Sequence, residues 1–133
     1  MKQKGNARMR QKKVDPKVVT AIDLFAGGGG LTVGLKRAGF SVTSAVEVEP
    51  HAYATYKANH TDVTAYRQDI RTVDGKLLRK LSPTESIDLL AGCPPCQGFS
   101  SLTSKYRRND ARNVLVREMD RMVREVKPLA VMM

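Results

Sequence analysis

From Pro16 onward the chain alternates short apolar runs with stretches of helical spacing. Val18, Val19, Ala21, Ile22, Leu24 and Phe25 make a compact apolar run, as a strand buried on both faces requires. Gly27 to Gly30 break it. Leu31, Leu35 and Ala38 then share one helical face up to Gly39, a residue suited to stopping a helix. Val42, Ala45, Val46 and Val48 predict a second strand. Pro50 marks the first position of a second helix, which Ala52, Tyr53, Tyr56 and Lys57 carry to Asn59 or His60. A weak third strand is predicted near Val63 to Tyr66, and a short helix and loop between Arg71 and Pro83. Ile87, Leu89, Leu90 and Ala91 form another apolar run, ended by Pro94 and Pro95. From about Arg112, Leu115, Met119, Met122 and Val126 recur at helical intervals until Lys127-Pro128, and Leu129 to Met133 are wholly apolar.

Strands alternating with helices predict an α/β domain: a mostly parallel sheet with helices on both faces. The opening order of strand, glycine turn, helix, strand is that of a Rossmann-like nucleotide-binding fold. The 133 residues suit one domain with a modest core. Residues 1–16 lack apolar periodicity and read as a basic flexible tail, which leaves 17–133 as the domain. No internal repeat is evident.

Charge adds a partner class. The net charge is +10, and residues 1–17 hold seven of the 23 basic side chains with Asp15 as their only acid. A basic balance favours polyanions, because each neutralised phosphate releases counterions. A terminal run of this kind is nonetheless more often a solvated extension than a binding element. No segment approaches the roughly 18 consecutive apolar residues of a membrane span. No apolar stretch follows the basic N-terminus as it would in a secretory signal. Two cysteines make no disulfide framework, so the expected setting is intracellular and reducing, with no membrane partner.

The glycine turn reads Asp23-Leu24-Phe25-Ala26-Gly27-Gly28-Gly29-Gly30-Leu31. A strand running through glycines into a helix lets a ligand approach the backbone closely. Glu47 follows Gly27 by 20 residues, at the end of the second strand, where a carboxylate can accept hydrogen bonds from both hydroxyls of a ribose. The dinucleotide fingerprint G-x-G-x-x-G is absent, since Thr32 or Val33 stands where its third glycine belongs. A methyl donor such as S-adenosylmethionine has no pyrophosphate and needs no such fingerprint. A turn that binds nothing stays open as an alternative.

The second chemical segment is Ala91-Gly92-Cys93-Pro94-Pro95-Cys96-Gln97-Gly98-Phe99-Ser100, in a loop after a strand, where open α/β sheets bind ligands. The two prolines stiffen the approach to Cys96, and Gln97 and Ser100 can hydrogen-bond a polar substrate. Cys93 and Cys96 also have the spacing of a redox dithiol or of half a zinc site. Zinc would need further ligands, and the chain offers only His51 and His60. Spacing alone leaves redox chemistry and nucleophilic catalysis level.

These segments, with Gln68-Asp69-Ile70 between them and Asp110-Ala111-Arg112-Asn113-Val114-Leu115 after them, stand in the order seen in cytosine-C5 DNA methyltransferases. The chain resembles that family from about Val19 to Met133, and Pro-Pro-Cys-Gln-Gly-Phe-Ser is its most specific part. The resemblance implies a Rossmann-like S-adenosylmethionine-dependent methyltransferase fold, incomplete at the C-terminus, of the kind found in restriction–modification systems. It implies that Phe25 packs on the cofactor, that Ala26 and Gly27, Gly28, Gly29 and Gly30 pass beneath it, that Glu47 binds the ribose and Asp69 the adenine amino group, and that Ile70, Pro95 and Leu115 complete the site. Val48 stands where many relatives place a larger side chain beside the adenine. Cys96 becomes the nucleophile, and Cys93, at a position that tolerates small residues, a packing residue.

Cytosine C5 is a poor nucleophile, and addition of a thiolate at C6 makes it enamine-like. The base must leave the duplex stack for this, so the expected partner is double-stranded DNA. Lys105, Arg107 and Arg108, close behind Cys96 with Tyr106 among them, are candidates to grip phosphates, and Arg112 to contact the substrate; a solvated basic loop is the plainer alternative. The family's Glu-Asn-Val segment, which supports the chemistry at cytosine N3, should come directly after Met133, and its recognition region later still. The chain is therefore expected to be truncated or split, completed by a C-terminal partner chain, and inactive alone. The alternatives are a tRNA cytosine methyltransferase, which shares these motifs, and a nucleotide-binding redox protein using Cys93 and Cys96.

Overall fold

β1 (Val19–Leu24) lies at the centre of a sheet in the computed structural model, which describes residues 17–95 and 114–133. Around it are α1 (Gly30–Arg37), β2 (Phe40–Glu47), α2 (Pro50–Asn59), β3 (Thr64–Arg67), a 3-10 turn (Ile70–Thr72), α3 (Gly75–Lys80), β4 (Leu89–Gly92), α4 (Val114–Val126) and β5 (Ala130–Met132). The strand order is β3-β2-β1-β4-β5, and every described pairing is parallel. All strands therefore point their C-terminal ends to one edge, where ligands of such sheets bind.

Side chains alternate across the sheet, so β1 feeds two cores. Ile22 and Leu24 pack with Val46, Leu90, Leu78 and the α4 residues Met119, Met122 and Val126. Ala21 packs on the other face with Ala45, Leu35 of α1 and Tyr56 of α2. This is the expected parallel sheet with helices on both faces. The periodic apolar residues of α4 are the ones that face the core, as their spacing required.

Several boundaries differ from the sequence reading. On α1 the buried positions are Thr32 and Leu35, whereas Ala38 is exposed and caps the helix, with Gly39 (φ 91°) turning the chain out of it. Thr32 is inside because its hydroxyl has buried partners, which apolar spacing cannot reveal. β2 ends at Glu47, so Val48 lies beyond the strand and is exposed. β3 begins at Thr64, one residue after Val63, and β4 begins at Leu89, after the buried Ile87. β5 is an exposed edge strand, with Val131 48% and Met132 41% exposed. The basic stretch 1–16 and the segment 96–113 lie outside the described residues.

Candidate functional site

The site begins where β1 runs out. Phe25 has φ 56°, an uncommon left-handed conformation for a residue with a bulky side chain, and Gly27 (φ 55°) and Gly29 (φ 97°) follow in the same region. The turn is held rather than slack. Ala26 donates its N–H to the carbonyl of Val46, Gly29 donates to Ala26, and Gly29 caps α1. Gly27 donates its N–H to Glu47 Oε2 at 2.8 Å. Glu49 donates its own N–H to Glu47 Oε1 at 2.7 Å and accepts, through its carboxylate, from the N–H groups of His51 and Ala52 at the start of α2. Those two bonds hold the Glu49 carboxyl below its ordinary range. Each Glu47 oxygen thus has one partner and a second lone pair to offer.

Beside this turn is a cavity of about 400 Å³ at the C-terminal ends of the strands, within the usual size for a small-molecule site. Phe25, Val46, Val48, Ile70, Pro95 and Leu115 supply its apolar lining; Glu47, Gln68, Asp69, Arg71 and Cys93 supply the polar part. Asp69 caps the 3-10 turn, accepting from the N–H of Arg71 at 2.9 Å. The Arg71 guanidinium donates to both Asp69 oxygens, with Nη2 to Oδ2 at 2.6 Å, and holds the Asp69 carboxyl down at about 2.

Beneath the turn runs a buried polar chain. Thr32 Oγ1 donates to Asp23 Oδ2 at 2.6 Å and lies 2.7 Å from the Tyr56 hydroxyl. Burial pushes the Asp23 carboxyl up to about 6, and its Oδ1 has no partner among the described residues. Burial likewise pushes the Tyr56 phenol up to about 12, and because Thr32 gives its one hydrogen to Asp23, Tyr56 is the donor to Thr32.

The C-5 cytosine-specific DNA methylase family model matches residues 19–133. The chain belongs to this family. It is 43% identical over 114 residues to the type II methyltransferase M1.HphI of Haemophilus parahaemolyticus, covering 83% of this chain and 30% of that protein. It is 44% identical over 112 residues to M.AgeI of Thalassovita gelatinovora, covering 82% and 26%. The crystal structure of a DNA modification methyltransferase encoded within an Escherichia coli prophage superposes with a TM-score of 0.71 at 36% identity, over 85% of this chain and 30% of that one. The chain thus spans less than a third of the length of these relatives.

Of the methylase site residues expected from sequence, Phe25, Glu47, Val48, Asp69, Ile70, Pro95 and Leu115 line one cavity. Ala26 and Gly27 to Gly29 form the turn beside it and Gly30 opens α1; none of them is in its lining. Cys96, Gln97, Ser100, Lys105, Arg107, Arg108 and Arg112 lie outside the described residues. The reading of Cys93 as a packing residue is corrected: its side chain is exposed and lines the cavity, because β4 has ended at Gly92. Sequence reasoning missed Val46, Gln68 and Arg71 in the lining; Arg71 sits two residues after Asp69, a spacing that could have signalled an ion pair.

One further residue ties together two elements that contribute to the cavity lining. Arg121 of α4 donates Nη1 to the Val73 carbonyl at 3.0 Å and Nη2 to the Ile70 carbonyl at 2.8 Å. Glu118 and Glu125 flank it at 2.7 and 2.9 Å, and Glu125 also accepts from the N–H of Gly75 at 2.8 Å. The helix carrying Leu115 and the turn carrying Ile70 are thereby fixed together.

Proposed function

We propose that the protein carrying these residues transfers a methyl group from S-adenosylmethionine to C5 of cytosine in double-stranded DNA. The observation that carries this reading is the pairing of Glu47 and Asp69 in one apolar-walled cavity at the C-terminal sheet edge. The donor set fits the cofactor. Glu47 keeps free lone pairs for ribose hydroxyls, Asp69 is assigned to the adenine amino group, which takes the place of an Arg71 donor on its carboxylate, Phe25, Val48, Ile70, Pro95 and Leu115 offer apolar surface to a flat base, and the turn from Ala26 through Gly30 leaves room for the methionine portion. Adding a Cβ to Gly27 or Gly30 would meet no atom of the described residues, which leaves space on that side of the turn. S-adenosylmethionine, when bound, supplies an electrophilic methyl group.

The chain's own part in the reaction is assigned to Cys96, four residues after β4 ends at Gly92. Its thiolate adds to cytosine C6, and the electron pair moves to C5. After C5 is methylated, loss of the C5 proton expels the thiolate and restores the ring. Gln97 and Ser100 are assigned to the flipped base, and Lys105, Arg107, Arg108 and Arg112 to the DNA. The activity belongs to these residues together with the remainder of a methyltransferase, whether in the same chain or supplied by a second one.

The test is transfer of a labelled methyl group by the complete protein to duplex DNA and, in parallel, to tRNA. Transfer to DNA that disappears in Cys96→Ser is the expected result. Transfer to tRNA alone would replace the substrate assigned here, and failure to bind S-adenosylmethionine would overturn the reading.

A further inference from the structure

The glycine turn is held from two directions, and only one of them faces the cavity. On the cavity side Glu47 accepts from Gly27. His60, which caps the C-terminus of α2, is only 4% exposed and does not line the cavity, reaches the same turn. Its Nε2 lies 3.1 Å from the Gly29 carbonyl oxygen, which also accepts from the N–H of Val33 in the first turn of α1. Its Nδ1 lies 3.4 Å from Lys36 Nζ, and Lys36 in turn donates to Asp62 at 2.6 Å. The imidazole rests against the Tyr56 ring, with centroids 4.7 Å apart.

These contacts leave one protonation pattern. A carbonyl only accepts, so Nε2 must carry the hydrogen. An ammonium only donates, so Nδ1 must be bare. The space confirms how closely the ring is fitted: a Cβ on Gly29 would stand 2.3 Å from Nε2 and 2.5 Å from Cδ2. Residue 29 is glycine for two reasons, its φ of 97° and the imidazole in the place of its side chain.

We propose that His60 is a positioning residue for the cofactor site: as its neutral Nε2–H tautomer it fixes the Gly29 carbonyl, and through it the turn whose Gly27 N–H orients Glu47. This rests on the reading of the turn and Glu47 as the cofactor's seat. Only Gly28 stands between the residue with the fixed carbonyl and Gly27, so a shift at Gly29 is passed along a short, already constrained backbone to the carboxylate. His60 touches no ligand in this assignment.

The experiment uses the full chain. Nitrogen-15 NMR of histidine-labelled protein should show His60 with a protonated Nε2 and an unprotonated Nδ1. Calorimetry with S-adenosylhomocysteine should then show His60→Leu, which fills the space without a donor, binding about tenfold more weakly. His60→Gln, which returns an amide N–H at similar reach, should recover most of that loss. An Nδ1–H tautomer, or a folded His60→Leu with wild-type affinity, would overturn the proposal. If His60→Leu does not fold, the tautomer and the affinity of His60→Gln decide. Glu47→Ala separates the two levels: lost binding in Glu47→Ala with none lost in His60→Leu defeats this proposal alone, and no binding by the wild type defeats the cofactor reading beneath it.

Discussion

Gly27 and Glu47, 20 residues apart, are joined by a 2.8 Å hydrogen bond from the backbone N–H of one to the carboxylate of the other. The turn and the acid are therefore a single preformed unit. Replacing Glu47 with Gln sets an amide N–H against one of the two backbone donors, Gly27 or Glu49, that the carboxylate now satisfies. Both Glu47→Ala and Glu47→Gln are expected to weaken S-adenosylmethionine binding by about 1.5–3 kcal/mol. Titration calorimetry checks this, and unchanged affinity in either variant would remove Glu47 from the ribose role.

The two cysteines should separate cleanly. DNA with 5-fluorocytosine at the target holds the covalent adduct, because fluorine cannot leave C5 as a proton does. The complete protein should form that adduct in the Cys93→Ser variant and lose it in Cys96→Ser. Gel shift under denaturing conditions reads the result; an adduct that depends on Cys93 instead would exchange their roles.

Asp23 should make stability fall as pH rises. The folded protein holds its proton to about pH 6, while the ordinary value is 3.8. The folded state binds this proton the more tightly, so stability is highest below about pH 4, declines to about pH 6 and stays low above it. The shift corresponds to a loss on the order of 3 kcal/mol. Asp23→Asn removes that dependence and is expected to be the more stable protein above pH 6, with the advantage disappearing in acid. Urea denaturation across this range is the measurement, and a gap that does not change with pH would contradict it.

Arg121→Met should cost about 2–4 kcal/mol, because it strips two backbone carbonyls of their donor and leaves Glu118 and Glu125 without their shared cation. Arg121→Lys should recover only part of this, since an ammonium cannot reach four acceptors in the guanidinium's planar fork. Thermal unfolding of both variants reads the difference; equal stability of Arg121→Lys and wild type would reduce the residue to a surface charge.

Much of this molecule was legible in the order of its residues. The α4 stripe, the Pro50 helix start and the glycine turn follow from periodicity and backbone constraint, which act over a few neighbouring residues. Glu47 and Asp69 were legible through family resemblance, and they do line one cavity. Thr32, His60 and Arg121 were not legible, because each is defined by partners far along the chain: Asp23 and Tyr56, Gly29, and the Ile70 and Val73 carbonyls. A buried hydroxyl or imidazole has no spacing rule to announce it. The exposure of Cys93 was misread for a related reason, since where β4 stops depends on its pairing with β1 and not on its own apolar run.

Placing β4 beside β1 rather than β3 makes the chain's route to its native state uneven. β1 and β2 meet through a single short crossover, so the turn and Glu47 can come together over a small loop. β4 docks on β1 across a separation of 68 residues, marked by the bond from Thr20 N–H to Asp88, and must close a much larger loop before it gains a partner. Closure entropy grows with loop length and non-local pairings slow folding. The half of the sheet that carries the glycine turn and Glu47 is thus expected to assemble first, before the strand that leads to Cys93 and Pro95 docks on it. During synthesis the same order holds, since the glycine turn leaves the ribosome well before β4 exists to complete the sheet around it.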